Sequence, residues 1–255
     1  MASDISNLLD AWPYDANNNV RRIVDADGRE KVQVRIEQGP FRGILQMNVG
    51  GRPDGAHPYG CEFALDYFQQ TQKAVRQKGE DPPFKLNHDA CGELFDESRC
   101  IYERYAFLLQ LSDFKNVVHD TERNMRLFRF VNQYGEHDND RMNLERWWPY
   151  VLRIHATARA MLAIKSGAYN DARSILRKVT DKIREFPELD VQEFHAERER
   201  SLEALAELEE ALEKHRKPTR RDKLEAELQQ AVQREQYERA ADLRDRIQRL
   251  DTGND

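Results

Sequence analysis

The chain has 255 residues, which can form one large domain or two small ones with a hydrophobic core. Charged residues make up 34% of the sequence and hydrophobic residues 39%, and with only 12 glycines and 9 prolines this composition favours long solvated helices over a sheet-rich enzyme. The formal net charge of -6 excludes a general electrostatic attraction to nucleic acid or anionic membranes, and no stretch reaches the roughly 18 apolar residues of a membrane span.

Residues 1–60 are predicted to form an N-terminal segment with a small antiparallel β meander, packed on a helical body. Residues 1–10 are acidic and lack the apolar run of a signal peptide, so we expect a cytoplasmic protein. The Asp27-Gly28 pair lies between two alternating segments, 20–24 and 31–37, and glycine accepts the positive φ that a tight hairpin turn requires. Residues 44–49 are expected to add a third strand.

Apolar and polar residues alternate along the second predicted strand, so they are expected on opposite faces of the sheet. The inward set is Val32, Val34 and Ile36. The outward set is Lys31, Gln33, Arg35 and Glu37. We expect helices to cover the apolar face.

Residues 61–213 are predicted to form a body of paired antiparallel helices, because apolar residues recur there every three or four positions. The predicted helical segments are 62–78, 91–109, 114–131, 144–164, 171–186 and 191–212. Ser112 is a candidate N-cap for the third segment. Residues 134–140 are polar and are predicted to form a loop.

A weak internal repeat is found where helices are expected to turn. Residues 163–172 align without gaps on residues 231–240, and residues 108–117 form a looser third copy. Each copy ends a helix, places an aromatic residue after the turn and has a small or apolar residue three positions later. The aromatic residue is expected to fill the wedge between two helices. This pattern predicts stacked helical hairpins similar to tetratricopeptide units, although the unequal spacing does not define a regular array.

The sequence offers few candidates for chemistry. The three cysteines, Cys61, Cys91 and Cys100, lack the paired spacing of zinc sites and disulfide frameworks. Metal-capable side chains at 136–140 lack ligand spacing on a helix. We therefore predict no catalytic residue, no metal and no cofactor.

The glycine-rich segment 50–55 does not match a phosphate-binding loop, because no lysine follows it. Its charged residues, Arg52 and Asp54, remain candidates for a recognition loop. The basic run 214–221 is predicted to be a solvated surface rather than a nucleic-acid site.

The C-terminal part is predicted to contain a linker at 214–218 and a helical hairpin at 219–251. One apolar stripe consists of Leu224, Leu228, Ala231 and Val232, and the other of Ala240, Ala241, Leu243, Ile247 and Leu250. Tyr237 is expected to pack under the turn. Units below about 40 residues seldom bury enough surface to stay folded alone. The stripes are therefore expected to need a partner: the rest of the chain, a second copy or another protein.

This tail resembles the UVR motif, which is shared by the B and C subunits of the bacterial nucleotide-excision nuclease, some Clp-type ATPases and the zinc-binding activators of protein arginine kinases. The matching residues are Leu224, Leu228, Ala231, Val232, Tyr237, Glu238, Ala240, Ala241, Leu243, Arg244, Asp245, Ile247 and Leu250. The resemblance implies a helical hairpin that mediates protein–protein contact or self-association, and it implies no reaction. Together with segments 27–31 and 51–55, the tail is similar to an uncharacterised bacterial family known by its UVR motif.

We interpret the chain as a mainly α, non-catalytic adaptor or scaffold that docks through this hairpin, with coiled-coil-like helix contacts. The predicted partner-binding residues are Leu228, Val232, Tyr237, Ala240, Ala241, Leu243, Arg244, Ile247 and Leu250. The expected partner is a UVR-containing protein or a second copy, with no direct nucleic-acid or membrane binding. Two alternatives remain: an accessory factor of nucleotide-excision repair or of a Clp-type protease system, and an enzyme located in the helical body.

Overall fold

The structure is a computed structural model that describes residues 5–79, 82–215, 220–234 and 236–251. The strands are β1 (Val20–Val24), β2 (Glu30–Gln38) and β3 (Phe41–Asn48). The helices are α1 (Ser6–Asp10), α2 (Ala64–Lys78), α3 (His88–Gln110), α4 (Phe114–Tyr134), α5 (Asp138–Asn143), α6 (Trp148–Lys165), α7 (Tyr169–Arg184), α8 (Gln192–His215), α9 (Arg220–Gln233) and α10 (Tyr237–Asp251). The predicted fold class is confirmed: helices dominate, a small antiparallel sheet comes first, and a helical hairpin comes last.

The chain divides into two compact units, a body unit (residues 1–209) and a tail unit (residues 210–255). Most of the predicted linker, residues 216–218, lies outside the described residues, as does residue 219. Within the part of the chain that the structure describes, no helix combines the length and the apolar character needed to cross a membrane.

The sheet has the order β1-β2-β3, and both neighbouring pairs are antiparallel. Val32 and Val34 of β2 are buried, and they pair across the sheet with Met47 and Leu45 of β3. The alternation predicted for β2 therefore places its valines on the face that packs against the helices.

Arg35 departs from the predicted pattern, because its side chain is completely buried although it belongs to the polar set of β2. The guanidinium donates hydrogen bonds to the carbonyl oxygens of Trp12, Ile36 and Gly43, and it pairs with the Glu37 carboxylate. The chain before β1 supplies one of these acceptors and so covers the second face of the sheet. The polar face predicted for β2 is therefore covered at Arg35.

One hydrophobic core joins the sheet to the helices. It unites valines of β1 and β2 with Ile101, Tyr105 and Leu108 of α3, and with apolar residues of α4 and α6. The helices α3, α4, α6 and α7 pack in sequence order as antiparallel neighbours. The N-terminal meander and the helical body consequently share their apolar interior.

A buried ion pair crosses this body beside the core. The Arg104 guanidinium donates two hydrogen bonds of 2.7 Å to the two carboxylate oxygens of Asp120, joining α3 to α4. Its remaining nitrogen donates to the carbonyl oxygens of Asn48, the last residue of β3, and of Gly51 in the loop that follows. Both charged side chains are almost completely buried, so each needs the other to offset its desolvation.

Three helix-to-helix turns share one backbone hydrogen bond, in which an N–H donates to the carbonyl oxygen five residues earlier. The bonds join Asp113 to Leu108, Ala168 to Ala163, and Gln236 to Ala231. This is the longer-range bond of the Schellman motif, which satisfies a free carbonyl at a helix end. The weak repeat in the sequence therefore corresponds to a repeated turn geometry.

The residue three positions after each aromatic is buried in all three copies of the repeat: Val117, Ala172 and Ala240.

Ser112 is not the N-cap of α4. That position belongs to Asp113, whose side chain accepts a hydrogen bond from the N–H of Asn116. Ser112 instead adopts a positive φ of 54°, because it closes the end of α3 as Gly167 (φ 79°) closes the end of α6.

The segment predicted as a loop at 134–140 contains the start of the short helix α5. Asp140, one of its acidic residues, is buried and lies 3.0 Å from Nδ1 of His88. A packing contact within the body therefore orders this polar segment.

Replacing Arg104 by alanine would remove the bidentate guanidinium partner of the buried Asp120 carboxylate and leave it only the His119 ring nitrogen, 3.4 Å away. We expect the body unit to lose about 3–5 kcal/mol of unfolding free energy, the usual effect of breaking a buried ion pair. Urea unfolding followed by tryptophan fluorescence measures this, because the three tryptophans, Trp12, Trp147 and Trp148, all lie in the body unit. Arg99→Ala is the control, since Arg99 pairs with Asp96 on the exposed surface of the same helix and should cost less than about 1 kcal/mol. Equal losses for both variants would contradict the structural importance of the Arg104–Asp120 pair.

Ser112→Gly should stabilise the body unit, because a left-handed conformation costs a non-glycine residue about 1–2 kcal/mol and glycine adopts it freely. We expect a net gain of about 1 kcal/mol after the greater chain entropy of glycine in the unfolded state is included. The same urea titration measures it, with Gly167→Ala as the reciprocal change, which should destabilise. A loss of stability in Ser112→Gly would show that the serine side chain supports the turn.

Candidate functional site

The tail unit contains the predicted hairpin, formed by α9 and α10 around a tight turn. The Gln236 N–H donates to the carbonyl oxygen of Ala231, and the Ala240 N–H donates to that of Gln236. These two bonds end one helix and begin the next within a few residues. Residue 235 and the side chain of Leu250 lie outside the described part of this unit.

The seam between α9 and α10 is closed by their own apolar side chains. Leu224 and Ala231 of α9 are buried against Ala240 and Leu243 of α10, and Leu243 is only 1% exposed. Leu228 and Ile247 pack at the edges of this cluster and are half-buried. The expectation that the stripes need a partner outside the hairpin is wrong for this seam, because each helix covers the other.

The outer surface of the hairpin presents different residues from the seam. Val232, the second-last residue of α9, is 52% exposed, and Tyr237, the first residue of α10, is 69% exposed. Ala241 and Arg244 are also exposed. Of the predicted partner-binding residues, the structure thus places Ala240 and Leu243 inside the hairpin and these four outside.

Tyr237 does not pack under the turn, so that prediction is wrong. In the corresponding position after α3, Phe114 is buried because it belongs to the large core of the body unit. The turn of the hairpin is closed by backbone hydrogen bonds, and the Tyr237 ring is left largely exposed. The surface beside it is concave and is lined by the consecutive residues 236–239.

Charges of both signs alternate along α10. Arg239 lies 3.9 Å from Glu227 of α9, Arg244 pairs with Asp245, and Arg246 lies 3.8 Å from Asp242. A nucleic-acid footprint would instead require a one-sided basic surface. The basic run at 214–221 has four residues, 216–219, outside the described part of the chain.

The candidate recognition loop at 50–55 is held firmly by the body unit. The Arg52 guanidinium donates to both carboxylate oxygens of Asp54 and, at 2.9 Å, to the carboxylate of Glu97. Glu97 is fully buried and also accepts hydrogen bonds from the N–H groups of Ala64 and Leu65 at the start of α2. The Arg52 guanidinium is therefore hydrogen-bonded to groups of the protein itself. Of the two predicted recognition residues, Asp54 has the more exposed side chain.

The electrostatics of this loop depend on Glu97. Burial raises the pKa of its carboxyl group, and the two backbone N–H groups and the Arg52 guanidinium counteract that rise. Without Arg52, the buried Glu97 carboxylate would keep its two backbone donors but lose the hydrogen-bonded guanidinium that helps to offset its desolvation.

The sequence analysis missed a cavity of about 510 Å³ in the body unit, between α3, α4, α6 and α8. Tyr102, Tyr105 and Tyr150 form part of its wall, and Asn124 lies among them. Tyr150 belongs to the Trp148-Pro149-Tyr150 tripeptide, but nothing in the chain sequence indicates that distant helices converge on it. Among the described residues, no group of His, Cys, Asp or Glu side chains is arranged to hold a metal ion.

Comparison with known proteins finds one match to a family model, the UvrB/uvrC motif, over residues 219–252. No curated protein and no solved structure matches the chain. The matched segment coincides with the hairpin of α9 and α10, whose seam and turn are described above. The chain is therefore a UVR-motif-containing protein, with the motif at its C-terminal hairpin.

Proposed function

We propose that this chain is a non-catalytic adaptor that docks onto a partner protein through the outer surface of its C-terminal hairpin. The observation that carries the proposal is the exposure of Tyr237 and Val232 at the turn of a hairpin that matches the UVR motif. Tyrosine combines an apolar ring with a polar tip, which makes it a frequent anchor at protein interfaces.

The closed seam defines how docking would occur. Leu243 and Ala240 of α10 are already buried against α9 within the hairpin. The partner would therefore bind to a preformed pair of helices. Preformed surfaces lose less conformational entropy on binding than surfaces that must first order. Val232, Tyr237 and the half-buried Ile247 would supply the apolar contact, and Arg244 would supply a charge at its rim.

The partner we propose is another helical hairpin of the same motif. Alternating charges along α10 can pair with the same pattern on an antiparallel copy, which favours correct register over raw affinity. A second copy of this chain meets that description, and so does a UVR motif in another protein. The motif's name directs the first test to a UVR-bearing excision-nuclease subunit, and a Clp-type ATPase with the motif is the next.

Leu243→Asp should unfold the hairpin rather than weaken its docking surface directly. Burial of one leucine contributes about 1.5–3 kcal/mol, and the variant would also bury a charge in a unit with few other core residues. We expect the circular dichroism signal at 222 nm to fall by the helix content of α9 and α10, while tryptophan fluorescence of the body unit stays unchanged. A fully folded Leu243→Asp hairpin would contradict the closed seam.

The combined change Val232→Ser and Tyr237→Ser tests docking itself. Both residues are exposed, so helix content should be unchanged, while affinity for the partner hairpin should fall at least about tenfold. Sedimentation velocity measures self-association, and biolayer interferometry measures binding to a purified UVR-bearing excision-nuclease subunit.

The matched control is Val24→Ser with Tyr14→Ser, which removes the same exposed side chains from the body unit. It should leave binding unchanged. If the full-length protein neither self-associates nor binds the UVR-bearing proteins, or if both double variants bind like the wild type, docking through this surface is refuted.

A further inference from the structure

The strand β3 lies at an edge of the sheet, with a partner strand on one side only. The sheet order is β1-β2-β3, so β3 pairs with β2 and its other side is open. A free strand edge presents a row of backbone N–H and C=O groups that can pair with another strand. All of β3 belongs to the body unit, so this edge is separate from the hairpin and independent of the proposed docking.

The register of the sheet determines which backbone groups face the open side of β3. The N–H of Arg35 in β2 donates to the carbonyl oxygen of Asn19, which directly precedes β1. Successive residues of a strand bond to opposite sides, so Val34 bonds to β3, where its partner is Leu45. The alternate residues of β3 therefore direct their backbone groups to the open side: Arg42, Ile44 and Gln46. No hydrogen bond from the rest of the described chain reaches these groups.

The opposite edge of the sheet is protected in ways that β3 is not. The strand β1 has only five residues, and its central residue, Arg22, forms ion pairs with Glu30 and Asp113. Short length and charged side chains are usual protections of an edge strand against pairing. The strand β3 has eight residues, contains neither lysine nor proline, and exposes the side chains of Phe41 and Leu45. Of the two edges, β3 is therefore the one open to another strand.

Apolar side chains surround this open edge. Phe41 is 57% exposed and Leu45 37%, and both lie on the face of the sheet that carries the core. The Phe41 ring lies over Gly43, because a Cβ atom on that glycine would come within 2.7 Å of the ring. Helix α1 lies beside β3, and Ile5 and Leu8 at this helix are exposed. Exposed apolar side chains that cluster in this way mark an interaction surface.

We propose that two copies of this chain pair through β3, antiparallel and centred on Ile44, so that two three-stranded sheets form one continuous sheet. In this register Ile44 lies opposite Ile44 of the second copy, and Arg42 lies opposite Gln46. The free backbone groups of all three residues on each strand are then paired. A shift of two residues would place Gln46 opposite Pro40, which has no N–H, or Arg42 opposite Asn48, whose N–H already binds Pro53.

The side chains also fit this register. Arg42 faces the neutral Gln46 of the second copy, so no two like charges lie opposite each other. Leu45 lies opposite Gly43 of the second copy, and the Phe41 ring of that copy covers the glycine. Leu45 and Phe41 consequently meet across the interface, twice by symmetry. A two-fold pairing closes on itself, so it produces a dimer and not a fibre.

Sedimentation equilibrium on the full-length chain tests this pairing. Because the hairpin is also expected to join copies, the parent protein for the experiment is the Val232→Ser, Tyr237→Ser variant, in which that contact is weakened. We expect this parent still to form dimers, with a dissociation constant on the order of 10–100 µM, as for a small interface. A parent that remains monomeric at about 300 µM overturns the proposal, while docking through the hairpin of the wild type would be unaffected.

Gln46→Pro in this parent blocks the edge. Proline removes the N–H that would bond to Arg42 of the second copy, and an edge strand tolerates proline where the N–H faces solvent. Two hydrogen bonds are lost from each dimer, so dimerisation should weaken about tenfold. Val24→Pro is the matched control, because the same alternation directs its N–H to the open side of β1 and its side chain is exposed. The control should leave dimerisation unchanged.

Opposite charges at position 46 test the register without a proline. Gln46→Glu places a carboxylate opposite Arg42 of the second copy and should tighten the dimer about fivefold. Gln46→Lys places a second cation there and should weaken the dimer by a similar factor. General damage to the strand would weaken both variants, so only the proposed register produces shifts of opposite sign.

The proposal is overturned if Gln46→Pro dimerises as well as its parent, or if Val24→Pro weakens the dimer as much as Gln46→Pro does. It is also overturned if the glutamate and lysine variants shift the dissociation constant in the same direction. Binding of these variants to a UVR-bearing protein, with Val232 and Tyr237 restored, should equal that of the wild type, because the changed residues lie in the body unit.

Discussion

The pairing of Arg104 with Asp120 is the interaction on which the body unit depends. One guanidinium joins α3 to α4 and also binds two carbonyl oxygens, one at the end of β3 and one in the loop that follows it. A few residues away, Glu97 joins the same loop, through Arg52, to the start of α2. Buried charges need partners of good geometry, so these contacts impose one arrangement of sheet and helices where apolar packing alone would tolerate several.

The helical part of the molecule uses one solution repeatedly. The same five-residue backbone bond closes the turns after α3, α6 and α9, and each is followed by an aromatic residue that opens the next helix. What differs is the layer above the turn. Phe114 enters the core of the body unit and is buried, whereas Tyr237 lies at the outer surface of the hairpin and is largely exposed.

Much of this architecture could be predicted from the sequence, because it depends on local patterns. Alternation in β2, the Asp27-Gly28 turn and the three-to-four-residue spacing of apolar residues each specify an element without reference to the rest of the chain. Element ends were less predictable, as usual: Ser112 is a helix end rather than a cap, and α5 occupies part of a predicted loop.

What could not be predicted depends on contacts between distant segments. Arg35 is buried because the chain around Trp12 covers it. Arg52, in the loop after β3, is held by a hydrogen bond to Glu97 of α3. The cavity around Asn124 needs four helices to converge. The predicted hairpin residues fall into a buried set and an exposed set, and the contacts between α9 and α10 decide which residue belongs to which. The spacing of apolar residues along one helix does not reveal how many of them the other helix covers.

The self-contained seam of the hairpin has an evolutionary consequence. A hairpin whose apolar side chains bury one another does not need the core of another domain to cover them. It can therefore be joined to unrelated proteins without changes to their cores. Outward side chains such as Tyr237 and Val232 can then change in sequence while the apolar seam stays constant.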